Sequence, residues 1–275
     1  CGQRPGVTGP VATPAAPPRG GGSVSGMSAR EYDVIVIGAG PVGENVADRA
    51  VQGGLSVVIV EAELVGGECS YWACMPSKAL LRSGAVLRAA RAVDGAKQAV
   101  TGDLDVAAVL RRRNGMTHDW DDSSQVEWLQ KTGIELVRGH GALAGDKRVT
   151  VTAEDGSTTE LVARHAVAVC TGTAALLPAI PGLADIRPWT SREATSAQSV
   201  PASLAILGGG LAGSEMATAY VDLGAEVTLI ARSGLLGADE PFAGEMVQRA
   251  LTSRGAVIHT GVDVVSARRG GDGPA

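Results

Sequence analysis

Two stretches of 29 residues in this chain share one pattern, and this internal repeat constrains the fold more than any other feature. Residues 33–61 read DVIVIGAGPVGENVADRAVQGGLSVVIVE, and residues 203–231 read SLAILGGGLAGSEMATAYVDLGAEVTLIA, 170 positions later. Each copy has the pattern of a buried strand, a glycine turn, a helix and a second buried strand. We therefore expect two β-α-β units of the same kind within one chain.

The glycines of both copies stand where a strand ends and a helix begins. They are Gly38, Gly40, Gly43, Gly208, Gly210 and Gly213, and Pro41 follows directly at the first helical position of the first copy. Glycines also make ordinary turns, but in this context they let backbone amides approach a pyrophosphate at the positive end of the helix. The sequence predicts an α/β protein with two Rossmann-like dinucleotide-binding domains and two bound nucleotides.

The residue that ends the second strand differs between the two copies. Glu61 lies 23 positions after Gly38 and can accept hydrogen bonds from ribose hydroxyls, so FAD and NAD both fit the first site. Ala231 takes the equivalent place in the second copy, with Arg232 beside it. An arginine there suits a 2′-phosphate, which favours NADPH over NADH, although Arg232 could also be an ordinary surface residue.

The bulk composition excludes several classes of partner. The chain has 275 residues, 45% hydrophobic and 19% charged, which is an ordinary globular composition able to bury a core. A net charge of −5 offers no basic excess for nucleic acid, and no apolar run reaches the about eighteen residues of a membrane span. Four cysteines do not make a disulfide scaffold, so we expect a reducing, cytoplasmic compartment.

Composition shifts divide the chain into segments. Residues 1–30 are rich in proline and glycine and are expected to be disordered; Met27 could be the natural start, and a lipid-modified Cys1 is the alternative. Residues 31–200 predict the first part of one dinucleotide-binding domain, and residues 201–275 predict an incomplete second one.

The first domain is expected to carry an insertion. Residues 104–132 have a helical pattern, and residues 134–173 have the pattern of a β-meander with a turn at Asp155-Gly156. Near the end of the chain, AVIHT (256–260) and VDVVSA (262–267) predict two further strands.

Two of the four cysteines lie five positions apart in GGECSYWACMPSKALLR, residues 66–82. Cysteines in a reducing compartment are most often buried apolar residues, and this spacing does not fit a structural zinc site. No second cysteine pair or close histidine pair completes a metal shell, so no metal is expected. A redox pair near a helix start fits slightly better, since the helix dipole and Lys78 would stabilise a thiolate.

Together these elements resemble the flavin-dependent pyridine nucleotide-disulfide oxidoreductases, the group of dihydrolipoamide dehydrogenase, glutathione reductase and mercuric reductase. The resemblance extends over residues 31–270, and its most specific part is G-G-x-C-x4-C-x-P-S-K, from Gly66 to Lys78. The segment VTLIARS also resembles the NADPH-using members, mercuric reductase especially.

The resemblance implies a role for each matching residue. Cys74 would lie against the flavin, Cys69 would face the substrate, and Lys78 beside the flavin would pair with Glu215 of the second domain. FAD would be held by Gly38, Gly40, Pro41, Gly43, Glu61, Gly67, Gly141, Thr171 and Gly172, and NADPH by Gly208, Gly210, Gly213 and Arg232. Electrons would pass between NADPH and a disulfide-type acceptor through the flavin and a Cys69–Cys74 disulfide.

The chain also departs from the family pattern. Family members usually carry Asn at the third position between the cysteines and Gly just before the second cysteine, whereas this chain has Ser70, Tyr71, Trp72 and Ala73. Tyr71 and Trp72 could line a pocket for an aromatic acceptor such as a quinone, or they could pack in a neighbouring core.

The second half of the family's FAD domain and its C-terminal dimerisation domain, with the catalytic His-Glu pair, are not found in the sequence. We therefore expect a fragment or a truncated product. His118, His140, His165 and His259 match no family motif, so each is expected to be structural or on the surface.

Two alternatives stay open beside the disulfide reductase. One is a reductase of quinones or of a metal ion such as mercuric ion, with the cysteines peripheral; the other is a non-catalytic nucleotide-binding redox module. The expected partners are a small-molecule disulfide, quinone or metal ion and, for the full-length protein, a second subunit in a homodimer.

Overall fold

A computed structural model of the chain describes residues 29–269. The first part contains, in chain order, β1 (Arg30–Ile37), α1 (Pro41–Gln52), β2 (Val57–Glu61), α2 (Gly67–Tyr71), α3 (Cys74–Arg91), α4 (Ala96–Ala99), α5 (Val106–Met116), a 3-10 turn (His118–Trp120), α6 (Ser123–Thr132), β3 (Glu135–Arg138), β4 (His140–Leu143), β5 (Arg148–Thr152) and β6 (Thr158–Val169). The second part contains α7 (Ser191–Ser196), β7 (Ser203–Leu207), α8 (Leu211–Asp222), β8 (Glu226–Ala231), α9 (Pro241–Thr252) and β9 (Val257–Thr260).

The first sheet has six strands in the order β3-β2-β1-β6-β5-β4. Strands β3, β2, β1 and β6 run parallel, and β5 and β4 continue the sheet antiparallel. The central strands β1 and β2 have apolar side chains on both faces of the sheet, and each face is covered. On one face Val36 and Ile59 pack towards α1 and α6. On the other face Ile35 and Val60 pack against β5. The sheet therefore presents the carboxyl ends of its parallel strands at one edge.

Strand β6 connects the nucleotide-binding part of the sheet to the meander. Its Leu161 is paired with Arg30 of β1 on one side and with Val149 of β5 on the other. The helical insertion and the meander predicted from the sequence are both present, with a turn at Asp155 and Gly156. Arg30 already begins β1, whereas residues 1–28 of the segment expected to be disordered lie outside the described residues.

The second sheet has three parallel strands in the order β7-β8-β9, with α8 and α9 as the crossovers. Leu229 and Leu251 are fully buried at its core, beside Ala217 of α8. Together with the first sheet, this unit confirms the predicted α/β fold with Rossmann-like β-α-β units. The exact domain boundary near residue 200 stays a prediction.

The strand predicted at 262–267 is wrong. Residues 262–267 contain no strand; instead the Ala267 amide donates to the Pro181 carbonyl at 2.9 Å, so the segment lies along the linker before α7. Its valines suggested a half-buried strand. Val265 is 83% exposed, however, so burial of the side chain does not stabilise strand pairing there.

The two units are joined by packing between helices. Leu80 of α3 and Val109 of α5 share a buried cluster with Ala219 of α8 and with Leu223, which follows it. An ion pair between Arg88 of α3 and Asp222 of α8 lies beside this cluster. Among the helices that the structure describes, none has both the length and the apolar character needed to cross a membrane.

Candidate functional site

The first glycine loop lies between β1 and α1, and the space around the Cα atom differs among its three glycines. Gly38 has φ +100°, and a Cβ there would stand 2.3 Å from the Cys170 carbonyl oxygen. A Cβ at Gly43 would stand 1.9 Å from the Gly38 carbonyl oxygen. Gly40 differs, since a Cβ there would meet nothing within 4 Å. The loop is thus closed by packing at two positions and open to a ligand at the third, directly before the first helical residue, Pro41.

Glu61 lies beside this loop at the carboxyl end of β2. Its carboxylate accepts the Ala39 amide hydrogen at 2.7 Å and the Glu63 amide hydrogen at 2.8 Å. These two bonds fix the carboxylate at the edge of the loop and leave lone pairs for further donors. The position fits a residue that accepts hydrogen bonds from an adenosine ribose.

A cleft of about 600 Å³ lies next to Glu61, lined by Ala62, Arg138, Gly139 and Asp155 among others. Arg138 ends β3 in register with Glu61, and its guanidinium bonds to the Glu63 carbonyl and pairs with Asp122. Sequence reasoning missed Arg138. From the sequence, Arg138 could have been identified only by its position at the end of a predicted strand, because that strand pairs with β2.

Other predicted FAD residues meet the same edge of the sheet. A Cβ on Gly38 would be 3.2 Å from the Thr171 Cα, so Thr171 lies against the glycine loop, with Gly172 directly after it in the chain. A Cβ on Gly141 of β4 would be 3.0 Å from the side chain of Ile37, which ends β1, and 3.1 Å from that of Val60, the penultimate residue of β2. The structure therefore brings Gly141 and Thr171 to the carboxyl ends of β1 and β2, beside the first glycine loop.

The cysteine segment rests on the same loop. Gly67 has φ +54°, and a Cβ there would lie 2.8 Å from the Gly40 Cα. Helix α2 therefore begins in direct contact with the first glycine loop. Cys69 lies in this helix, and Cys74 is the first residue of α3.

Cys69 and Cys74 are both free thiols in the structure, with Cys74 exposed and Cys69 half-buried. Burial raises the pKa of the Cys69 thiol to about 11, and hydrogen bonding to Cys74 and its charge contribute further to the increase. The two side chains are thus close enough to interact. Cys74 stands at the start of the 18-residue helix α3, so α2 and α3 bring the two cysteines to one junction of the fold.

Lys78 and Glu215 form the ion pair that the family resemblance implied. The Lys78 Nζ lies 2.6 Å from the Glu215 Oε1, with the lysine side chain 59% exposed and the glutamate 20% exposed. Lys78 is one turn after Cys74 on α3, and Glu215 is in the first half of α8, two residues after Gly213. The pair joins the cysteine-bearing helix to the second glycine loop.

The structure distinguishes the two interpretations of the aromatic residues between the cysteines. Tyr71 is 1% exposed, and its hydroxyl donates to Gln125 of α6, so it packs in the core rather than lining a pocket. Burial raises its pKa to about 12. Trp72 is half-buried, and the Arg192 guanidinium lies 4.2 Å from the centroid of its ring.

The second glycine loop repeats the first at the end of β7. A Cβ at Gly213 would stand 2.1 Å from the Gly208 carbonyl oxygen, whereas a Cβ at Gly208 or Gly210 would meet nothing within 4 Å. Arg232 follows β8 and is exposed. Within residues 29–269 its side chain has no hydrogen-bond or ion-pair partner, so the guanidinium is available to a ligand.

The four histidines lie in four different elements of the fold. His165 is 3.4 Å from Asp33 at the opposite edge of the first sheet, His140 and His259 lie in β4 and β9, and His118 begins the 3-10 turn. No group of three or more metal-ligating side chains lies close together in the part of the chain that the structure describes.

Two open glycine loops, one of them beside a carboxylate and two cysteines, are the arrangement expected of a dinucleotide-binding protein. Compared with known families, residues 32–273 match the model of pyridine nucleotide-disulphide oxidoreductases, and the chain belongs to this family. Its members are flavoproteins that use a nicotinamide nucleotide.

Individual relatives agree with this assignment. A mercuric reductase of Staphylococcus aureus is 30% identical over 235 residues, covering 84% of this chain and 42% of the relative. A dihydrolipoyl dehydrogenase of Chlorobaculum parvum is 36% identical over 242 residues, covering 86% of this chain and 50% of the relative. The chain thus spans about half the length of the curated relatives that it matches.

A solved structure shows the same fold. The HOCl-induced flavoprotein disulfide reductase RclA from Escherichia coli, in its Cu(II) complex, superposes with a TM-score of 0.73 at 20% identity. The match covers 88% of this chain and 52% of that one.

Proposed function

We propose that the protein passes electrons between NADPH and a disulfide-type acceptor through a bound flavin and the Cys69–Cys74 pair. The observation that carries this proposal is the placement of the pair between the two glycine loops. Gly67, which precedes Cys69, touches Gly40 of the first loop, and Lys78, which follows Cys74, pairs with Glu215 beside the second.

The first loop would hold the flavin. Gly40 would leave space for the pyrophosphate at the start of α1, and the Glu61 carboxylate, already fixed by the Ala39 amide, would accept hydrogen bonds from the ribose hydroxyls. FAD supplies the hydride-accepting centre that amino-acid side chains lack. Cys74 at the start of α3 is the thiol assigned to lie against it, and Lys78 places a positive charge one turn away.

The second loop would hold the nicotinamide nucleotide. Arg232 is exposed, carries no internal partner among the described residues and follows the strand where a 2′-phosphate would lie. Ala231 offers no carboxylate for a 2′-hydroxyl at the position equivalent to Glu61. These features favour NADPH over NADH.

Cys69 would exchange with the acceptor. When the pair is reduced, a thiolate at Cys69 attacks the acceptor disulfide and releases one thiol; Cys74 then displaces the second and closes the Cys69–Cys74 disulfide. Two electrons and two protons pass to the acceptor. The raised pKa of Cys69 means that this exchange accelerates with pH up to about 11.

A second candidate, reduction of mercuric ion or a quinone, is favoured by the 30% identity to mercuric reductase. Purified protein loaded with FAD is assayed for oxidation of NADPH and NADH against lipoamide, glutathione disulfide, mercuric ion and a quinone. The disulfide proposal predicts that Cys69→Ser abolishes disulfide reduction, with Cys170→Ser as the matched control. Reduction of a quinone that survives Cys69→Ser would favour the second candidate, and flavin binding without any turnover would favour a non-catalytic module.

A homodimer and a cytoplasmic location are further proposals that rest on the family resemblance and the cysteine count. Sedimentation of the purified protein tests the first of them.

A further inference from the structure

We infer that Arg192 of α7 is a positioning residue for the cysteine pair. It holds the cysteine loop, residues 66–74, on both sides of Cys69, and so favours closure of the Cys69–Cys74 disulfide. The inference rests on the proposed function and names a residue outside both glycine loops.

The first set of contacts precedes Cys69. The Arg192 guanidinium donates to both carboxylate oxygens of Glu63, at 3.0 and 2.8 Å, in a bidentate arrangement. The same guanidinium pairs with Glu68, the residue directly before Cys69. Attraction to these carboxylates raises the pKa of Arg192, with Glu63 the larger contributor, and lowers that of Glu63.

The second set of contacts follows Cys69. The guanidinium stacks on the Trp72 ring at 4.2 Å, and the Trp72 carbonyl accepts a hydrogen bond from the Thr195 hydroxyl at 2.8 Å. Residues of α7 therefore bond to Glu68, one position before Cys69, and to Trp72, three positions after it. The loop cannot swing away from Cys74 without breaking these contacts.

The helix that carries Arg192 is itself fixed from several directions. Thr190 and Glu193 form a capping box at its start. Arg113, which is fully buried, donates to the carbonyls of Thr195 and Ala197. The Tyr220 hydroxyl of α8 donates to the Ala194 carbonyl at 2.7 Å. Because the backbone of α7 is anchored to α5 and α8, the partly exposed Arg192 side chain extends from a fixed helix.

The chemical consequence concerns the equilibrium between the dithiol and the disulfide of Cys69 and Cys74. Oxidation by glutathione disulfide removes two electrons and two protons from Cys69 and Cys74, forms their disulfide and yields two glutathione molecules. Holding the loop raises the effective concentration of one thiol beside the other. Since Arg192 is 39% exposed, each ion pair is weak alone, but the loss of ion pairs and stacking together is expected to lower this equilibrium constant about tenfold.

The test measures that equilibrium without flavin turnover. The purified protein is equilibrated anaerobically in glutathione buffers, alkylated and digested, and the disulfide fraction is read by mass spectrometry of the peptides. Arg192→Met keeps an unbranched apolar stem without the charge, and Arg192→Lys keeps the charge without the fork. Arg249→Met is the matched control, because among residues 29–269 the Arg249 side chain pairs only with Glu245 on its own helix, at 3.6 Å.

The expected result is an equilibrium constant about tenfold lower for Arg192→Met, an intermediate value for Arg192→Lys and no change for the control. Alkylation of Cys170, a half-buried thiol outside the loop, should stay at the wild-type rate in all variants. Should Arg192→Met fail to fold, Trp72→Leu and Glu68→Gln remove the loop side of the same contacts and should give the same shift.

Two negative results are distinguishable. A wild-type protein that never forms the Cys69–Cys74 disulfide contradicts the proposed function. A disulfide that forms equally well in wild type and variants overturns the role of Arg192 alone, and so does a general rise in alkylation that includes Cys170, since this would indicate loss of overall stability.

Discussion

Replacing Asp222 by asparagine removes the charge that joins the cysteine-bearing helix to the second unit. The Asp222 side chain is 8% exposed and pairs with Arg88 of α3 and, at 3.4 Å, with Arg254 after α9. We expect Asp222→Asn to lower the free energy of unfolding, because two guanidinium groups would then share a buried site without a counter-charge.

The size of the effect follows from the exposure of the partners. Breaking a fully buried pair costs about 3–5 kcal/mol, and an exposed pair contributes about 0–1 kcal/mol. Arg88 is 39% exposed and Arg254 is 20% exposed, so water can solvate part of each remaining charge. An intermediate loss of about 2 kcal/mol is expected, which corresponds to a decrease of about 4–8 °C in the unfolding temperature.

The assay is thermal unfolding followed by circular dichroism, with Asp103→Asn as the control. Asp103 pairs with Arg91 at 2.8 Å but is 93% exposed, so its substitution should change the free energy of unfolding by less than about 0.5 kcal/mol. Equal unfolding temperatures for Asp222→Asn and wild type would refute the argument that burial makes this pair important.

Three further predictions use other parts of the structure. Gly40→Ala should leave the unfolding temperature of the flavin-free protein unchanged but weaken FAD binding by about tenfold or more, whereas Gly43→Ala should lower both; equal effects in calorimetry would contradict this difference. Arg232→Ala should raise the KM for NADPH by about tenfold and leave that for NADH unchanged, measured by steady-state kinetics; an equal change for both nucleotides would refute the assignment of Arg232. Burial raises the pKa of all three tyrosines, Tyr32, Tyr71 and Tyr220, to about 12, so folding keeps the phenols neutral. The contribution of these tyrosines to the free energy of unfolding is therefore fully present below the unfolded pKa of about 10 and is lost as the pH rises towards 12. Tyrosinate absorbance of the folded protein that already rises below a pH of about 10 would contradict this burial.

Much of the nucleotide-binding architecture was predictable because its determinants are local. A glycine loop, its strand and its helix lie within one short segment, and the repeat made the reading of each copy stronger. The Lys78–Glu215 ion pair was predictable only through the family resemblance, since its residues are separated by 137 positions.

The features that escaped prediction depend on contacts between distant segments. Arg192 meets Glu63 and Glu68 across 129 and 124 positions, and no periodicity connects these residues. The sequence allowed two interpretations of Tyr71, because its contact with Gln125 of α6 joins segments that are far apart in the chain. The valines of 262–267 show the opposite error, since alternation predicts a strand only where one face is buried.

The central claim is that a flavin and the Cys69–Cys74 pair communicate. The most direct measurement is an anaerobic titration of the purified, FAD-loaded protein with NADPH, followed by visible absorbance. The account predicts a yellow protein that develops a long-wavelength band after two electrons, which arises when a Cys74 thiolate lies against oxidised flavin, and predicts that Cys74→Ser abolishes the band. Bleaching of the flavin without that band in the unmodified protein would contradict the account.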